Sequence, residues 1–273
     1  MADIRIFTND ERGVFQSSVI AGLREVIDAG IYHPVIDIIG SRDASIDEFM
    51  THLEGTAGIV VIADAAPDDF LREAYAREIP ITLVSHQLDD IPIPAVMSDD
   101  GEGIKALMYH LIMRCGRRSL VFVRGIPEQR DSIYRESAFR RELLRYNVPD
   151  ENFQIVDGLF VADIAADSLR HLLKSGAYFD AILAADYLMG IAALEVLRDA
   201  GIDVPDAVSV VGYGDAPRAA DAGLTTVAAD VRELGRRAGL QIIRQVEGLR
   251  IRGITTVSVQ LIVRDSCGCP IKT

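Results

Sequence analysis

The sequence predicts an α/β protein of two units, each built on a parallel sheet covered by helices on both faces. Three observations carry this expectation. Short runs that are apolar at every position recur along the chain, helix-length amphipathic stretches separate most of them, and 273 residues suffice for about two domains. A strand that faces solvent on one side would alternate apolar and polar residues, and these runs do not.

The strand-like runs are IRIF (4–7), PVIDII (34–39), AGIVVI (57–62), PITLV (80–84), LVFV (120–123), AILA (181–184), VSVVGY (208–213) and VSVQLIV (257–263). The first helix is expected over 15–29, where Val19, Leu23, Val26 and Ile27 form one apolar stripe. The break between units is expected near VRGIPEQRD (123–131), where a strand ends in Gly and Pro before a new helix. Ligands of open α/β sheets sit beyond the carboxyl ends of strands, so the residues that follow each strand hold the functional interest.

Composition narrows the function. Hydrophobic residues make up 49% and charged residues 25%, and no apolar run approaches the roughly 20 residues that span a bilayer. The start, MADIRIFTND, has no basic stretch followed by an apolar one, as a secretory signal would. Three cysteines (Cys115, Cys267, Cys269) suit a reducing cytoplasm better than a disulfide scaffold. A net charge of −13 opposes nucleic-acid binding through the general field of the chain.

Catalytic and cofactor motifs are scarce. Gly101-x-Gly103-x-x-Ala106 imitates a dinucleotide fingerprint, but Asp99, Asp100 and Glu102 would repel a pyrophosphate there. These acids are better read as favourable charges at a helix start. No phosphate loop, GxSxG or HExxH occurs. The five histidines (33, 52, 86, 110, 171) lack metal-pair spacing, and Cys267-Gly-Cys269 has no second pair. No metal, no cofactor and no catalysis are therefore expected. The arginines between Arg114 and Arg145 interleave with Glu128, Asp131, Glu136 and Glu142, as on a solvated, salt-bridged helix face.

Several segments in order resemble the effector-binding core of the LacI/GalR family of transcriptional regulators. They are VFQSSVIAGLREVIDAGIYHPVI, IPITLVSHQLDDIPIPAVMSDDGEGIKALMYHLIMRCGRRSLVFVRG, RESAFRRELL, DAILAADYLMGIAALEVLRDAGIDVPDAVSVVGYGDAP, LTTVAADVRELGRRAGLQII and QLIVRDSC. The resemblance implies a periplasmic binding protein-like fold of type I. Two Rossmann-like lobes would clamp a small-molecule effector, a sugar or nucleoside-like compound, and close upon it. The lobes would be 1–123 plus 226–253 and 124–225 plus 254–273, with the helix at 230–248 returning to the first and the strand at 257–263 joining the second. A cytoplasmic homodimer is implied. DNA would be met only through a helix-turn-helix that no segment here matches. The ending RDSCGCP also resembles LacI-like domains that precede signalling modules, and a stand-alone solute-binding protein is the remaining alternative.

The resemblance also implies ligand contacts. Val14 and Phe15 follow the first strand where the family often offers an aromatic; a staple or core role is the alternative. Asp99 matches a family aspartate at the ligand or lobe interface, or is a simple N-cap. Arg135, in RESAF, stands where the family reads Arg-x-x-Gly-Phe, and its guanidinium would fork onto paired ligand oxygens. Phe160 is a second aromatic wall or a core residue. In Gly212-Tyr213-Gly214-Asp215 the family usually reads Gly-Phe/Tyr-Asp-Asp, so Gly214 lacks a carboxylate. Asp186 stands where the family usually has Asn. The two departures suggest that Asp186 supplies what Gly214 does not, with Tyr213 and Asp215 beside it.

Overall fold

The computed structural model describes residues 2–28, 31–39, 46–53 and 55–268. Two compact units emerge, 1–98 with 230–258 and 99–229 with 259–273. Each holds a six-stranded sheet.

The chain begins in the first unit with β1 (Ala2–Thr8), α1 (Val14–Ile27), β2 (Tyr32–Ile38), α2 (Ile46–Thr51), β3 (Thr56–Ile62), α3 (Asp68–Ala76), β4 (Ile81–Val84) and β5 (Ala95–Ser98). It continues in the second with α4 (Asp100–Tyr109), which runs into a π-helical turn at His110–Arg114. There follow β6 (Leu120–Arg124), α5 (Arg130–Arg145), β7 (Phe153–Asp157), α6 (Ala162–Lys174), β8 (Ala181–Ala184), α7 (Tyr187–Asp199), β9 (Ser209–Tyr213), α8 (Pro217–Asp221) and β10 (Thr225–Ala229). The chain then returns to the first unit through α9 (Val231–Val246) and β11 (Ile254–Val257), and ends in the second with β12 (Val259–Ile262).

The first sheet has the order β11-β5-β4-β3-β1-β2 and every pairing is parallel. The second has the order β12-β10-β9-β8-β6-β7, parallel except for β12, which pairs antiparallel with β10 at the edge. β4, β8 and β9 are buried at every position, as strands covered on both faces must be. The first core contains the Phe7, Phe49 and Phe70 rings, with centroids 5.0–5.8 Å apart. The second centres on β6, β8 and β9, with Phe122 stacked on Phe139 at 4.8 Å.

The unit boundaries differ from the sequence expectation. Residues 99–123 belong to the second unit, because β6 is an interior strand paired with β7 and β8. The Gly-Ile-Pro after it marks a strand-end loop and not a linker. Likewise 254–257 pairs with β5 in the first sheet, so the apolar run expected over 257–263 divides between the sheets, its start ending β11 and its body forming β12. The return of the 230–248 helix to the first unit agrees with the expectation.

In the first unit α1 and α9 touch backbone to backbone. A Cβ on Gly22 would stand 2.0 Å from the Arg232 carbonyl oxygen, and one on Gly235 would stand 2.0 Å from that of Val19. The helices reach this distance because neither glycine carries a side chain. Gly235→Ala should therefore force the helices apart and lower unfolding free energy by at least about 1–3 kcal/mol, read as a reduced urea midpoint.

Candidate functional site

The carboxyl edge of the second sheet gathers the polar residues. β8 delivers Ala185 and Asp186, β9 delivers Gly214 and Asp215, and the α5 helix after β6 carries Arg135. Arg135 is nearly enclosed, with 12% of its side chain exposed. Its Nε donates to Asp100 Oδ2 at 3.2 Å, its Nη1 donates to the Ala185 carbonyl at 2.9 Å, and its Nη2 lies 3.5 Å from Asp131 Oδ2. The guanidinium carbon stands 4.0 Å from the centroid of the Tyr213 ring. Tyr213 Oη in turn donates to the other oxygen of Asp100 at 2.7 Å.

Asp100 is thus the centre of this arrangement, and sequence reasoning missed it in favour of Asp99. Asp99 is the N-cap of α4, its side chain accepting from the Glu102 N–H at 3.2 Å. Asp100 occupies the first helical position and is buried at 9% exposure. Two adjacent acids at a helix start look alike in sequence; the helix direction sends one to the backbone and the other to the arginine.

Burial works against the Arg135 charge, but Asp100, Asp131, Tyr213 and Asp186 together overcome it and hold the group above its ordinary value. For Asp186 the balance runs the other way. Burial pushes its carboxyl up, opposed by the Met189 and Leu188 amides and by Arg135. Asp186 is also the N-cap of α7, its Oδ1 accepting from Met189 N–H at 2.8 Å. Burial and the neighbouring Asp186 push the Tyr187 hydroxyl up as well.

Asp215 turns to Arg264, whose Nη1 and Nη2 lie 2.9 and 3.0 Å from its two oxygens, and Thr226 Oγ1 donates to it at 3.3 Å. Arg264 follows β12, and no sequence signal tied it to residue 215. Gly214 has φ +83°, and its N–H donates to the Val227 carbonyl at 2.6 Å. The left-handed backbone explains the glycine where the resemblance led one to expect an aspartate. Phe160 is half-buried in the β7–α6 loop with φ +58°, and a Cβ on Gly125 would come within 2.1 Å of its ring. Gly125 therefore makes room for that ring.

Val14 and Phe15 lie in the first unit, at the start of α1 after β1, with Val14 48% exposed and Phe15 half-buried. The second unit thus joins Arg135 and Tyr213 through Asp100 and places Asp186 among the charges acting on Arg135. Asp99 and Asp215 turn to partners of their own.

The second unit also assembles a group that residue spacing concealed. His110, Cys115 and Cys267 place their ligand atoms within 4.8 Å of one another. Cys269 lies outside the described residues.

Doubly wound sheets with polar groups at a carboxyl edge define a class of proteins that bind small molecules beyond their strand ends. Within that class the chain belongs to the family of periplasmic binding protein-like domains, whose model matches residues 109–267, more than half of the chain. A curated relative, an HTH-type transcriptional regulator from Lachnoclostridium phytofermentans, is 26% identical over 207 residues, covering 75% of this chain and 61% of the relative. The chain thus spans less than two thirds of that relative's length. The crystal structure of a LacI-family transcriptional regulator from Burkholderia phymatum superposes with a TM-score of 0.84 at 24% identity, covering 98% of this chain and 99% of that one. The complex of the transcriptional regulator CelR with cellobiose superposes at 0.82 with 20% identity, covering 97% and 84%. The similar proteins are transcriptional regulators of the LacI type and not enzymes. Among the described residues, no helix is long and apolar enough to cross a membrane.

Two measurements test the site. Asp100→Ala should cost about 3–5 kcal/mol of stability by stranding a buried arginine, whereas Asp99→Ala should cost about 1 kcal/mol, the loss of a cap. Equal shifts in chemical denaturation would refute the assignment of Asp100. Because the folded-state pKa of Asp186 is raised, its favourable contribution is present below the unfolded value of about 3.9 and is lost as pH rises through the folded one. Asp186→Asn keeps an N-cap and removes that loss. The stability of the variant relative to the parent should therefore increase as pH is raised from below 4 to 7, and a pH-independent difference would contradict it.

Proposed function

We propose that this chain is the effector-binding core of a LacI-type transcriptional regulator. It takes a small hydroxyl-bearing molecule, a sugar or nucleoside-like compound, and passes the binding event to an output module. The observation that carries this reading is the Arg135 cluster at the carboxyl edge of the second sheet. A guanidinium fixed by Asp100, the Ala185 carbonyl and the Tyr213 ring has little conformational entropy left to lose on meeting a ligand oxygen. The raised pKa of Asp186 beside it marks a carboxyl that a hydroxyl-bearing ligand would find desolvated.

Three further features support the reading. The family match covers the second unit from α4 onward. CelR, which shares the fold, is seen with cellobiose. A carboxylate from Asp186 stands in for the one that Gly214 cannot offer, and Phe15 and Phe160 supply aromatic surface to a ring. Binding favours one of two states, and the output module reads the population shift. The regulator works as a cytoplasmic homodimer, as a two-fold operator requires.

Thermal-shift screening against monosaccharides, disaccharides, nucleosides and NAD(P) tests the proposal. A cognate sugar or nucleoside at about 100 times its Kd adds about 2.7 kcal/mol, which raises Tm by about 5–10 °C for a protein of this size. Arg135→Lys keeps the charge and loses the fork, and should remove most of that shift. Asp186→Asn should weaken a polyol at least tenfold. Stabilisation by NAD(P) alone, or undiminished binding in both variants, would overturn the reading.

A further inference from the structure

The geometry points to a zinc-class metal site formed by His110, Cys115 and Cys267 in the reduced protein. Nothing in the effector reading requires it, and it lies on a different part of the second unit's sequence from the Arg135 cluster.

The observations begin with the backbone. α4 gives way at His110–Arg114 to a π-helical turn, in which the Cys115 N–H donates to the His110 carbonyl at 3.0 Å. An i→i+5 bond of this kind brings the fifth residue back over the first, which an α-helical turn would not do, and single π-turns within helices mark functional positions with unusual frequency. It sets Cys115 near the imidazole of His110.

Cys267 arrives from 152 residues further along and is held firmly. Its carbonyl accepts from Ser209 Oγ at 2.9 Å, and the neighbouring Ser266 Oγ donates to the Val210 carbonyl at 2.6 Å and accepts from the Thr225 N–H at 2.8 Å. Its side chain is fully buried, and its Sγ lies 3.1 Å from His110 Nε2. A tetrahedral zinc, with bonds of about 2.3 Å to sulfur and about 2.0–2.1 Å to nitrogen, keeps its donors roughly 3.5–3.8 Å apart. Three donor atoms within 4.8 Å of one another reach that arrangement by shifts of about an ångström.

The donor chemistry is selective. Two thiolates and one imidazole suit zinc and exclude magnesium and calcium, which take oxygen ligands. Burial, aided by the charge of Arg114, holds His110 below its ordinary pKa and so in the neutral form that binds metal. Three protein ligands leave the fourth position to an exogenous donor.

Cys115 is disulfide-bonded in this structure, while Cys267 is a free thiol. Metal binding therefore follows reduction. A dithiol reductant supplies two electrons and two protons, the S–S bond breaks to two thiols, and the dithiol closes to its own disulfide. Zinc then displaces the thiol protons of Cys115 and Cys267. The site exists under reducing conditions and is withdrawn by oxidation.

The experiment uses the whole chain, reduced with a dithiol and freed of metal by a chelator. Zinc competition against a chromophoric chelator should give one ion per chain with a Kd below about 1 µM. Cobalt in place of zinc should show thiolate-to-metal charge transfer, which the oxidised chain should lack. His110→Ala and Cys115→Ser, each checked for native circular dichroism, should weaken zinc at least tenfold. The cobalt spectrum of the parent reads the thiolates directly, so the test does not depend on a variant folding. Absence of charge transfer in the reduced parent, or parental affinity in both variants, would overturn the site.

Discussion

The carboxylate of Asp100 is the contact on which the functional edge of the second unit depends. One oxygen meets Arg135 and the other meets Tyr213, while the Arg135 guanidinium reaches the Ala185 carbonyl and stacks on the Tyr213 ring. Four elements, α4, α5, β9 and the β8–α7 junction, are thereby fixed to one another at a single point. A buried ion pair of this kind returns little net stability, because desolvating two charges consumes most of what their attraction yields. Its value is positional. Each member has a bonded partner in one geometry, so the arginine is held in place before any ligand arrives.

Much of the fold was legible because burial on both faces of a parallel sheet leaves a plain mark. The run AILA matches β8 residue for residue, and VSVVGY contains all of β9. What the sequence did not disclose is where the chain changes unit. The crossing at 98/99 has no composition shift or linker, because α4 starts directly after β5. The strand-end loop after β6, rich in Gly and Pro, looked more like a boundary than the boundary itself.

The site divides along the same line. Arg135 stood out because its own neighbours carry a recognisable pattern. Asp100, Arg264 and the His110–Cys115–Cys267 group did not, because each acquires its meaning from a residue far away in sequence. His110 and Cys267 are 157 positions apart, and Asp215 and Arg264 are 49 apart. Local pattern reports what a residue's own element requires, as the N-cap role of Asp99 illustrates. Long-range pairing becomes visible only when the sheet order is known.

The return of α9 and β11 to the first unit also governs the order in which the molecule can be made. α9 packs against α1, the first helix, and β11 forms the edge beside β5. A chain emerging from the ribosome can assemble most of the second unit from the contiguous stretch 99–229. The first unit, although synthesised earlier, keeps the α1 face and the β5 edge uncovered until residues 230–257 appear. The unit that begins first is finished last, and the glycine contact between its first and final helices acts as its closing clasp.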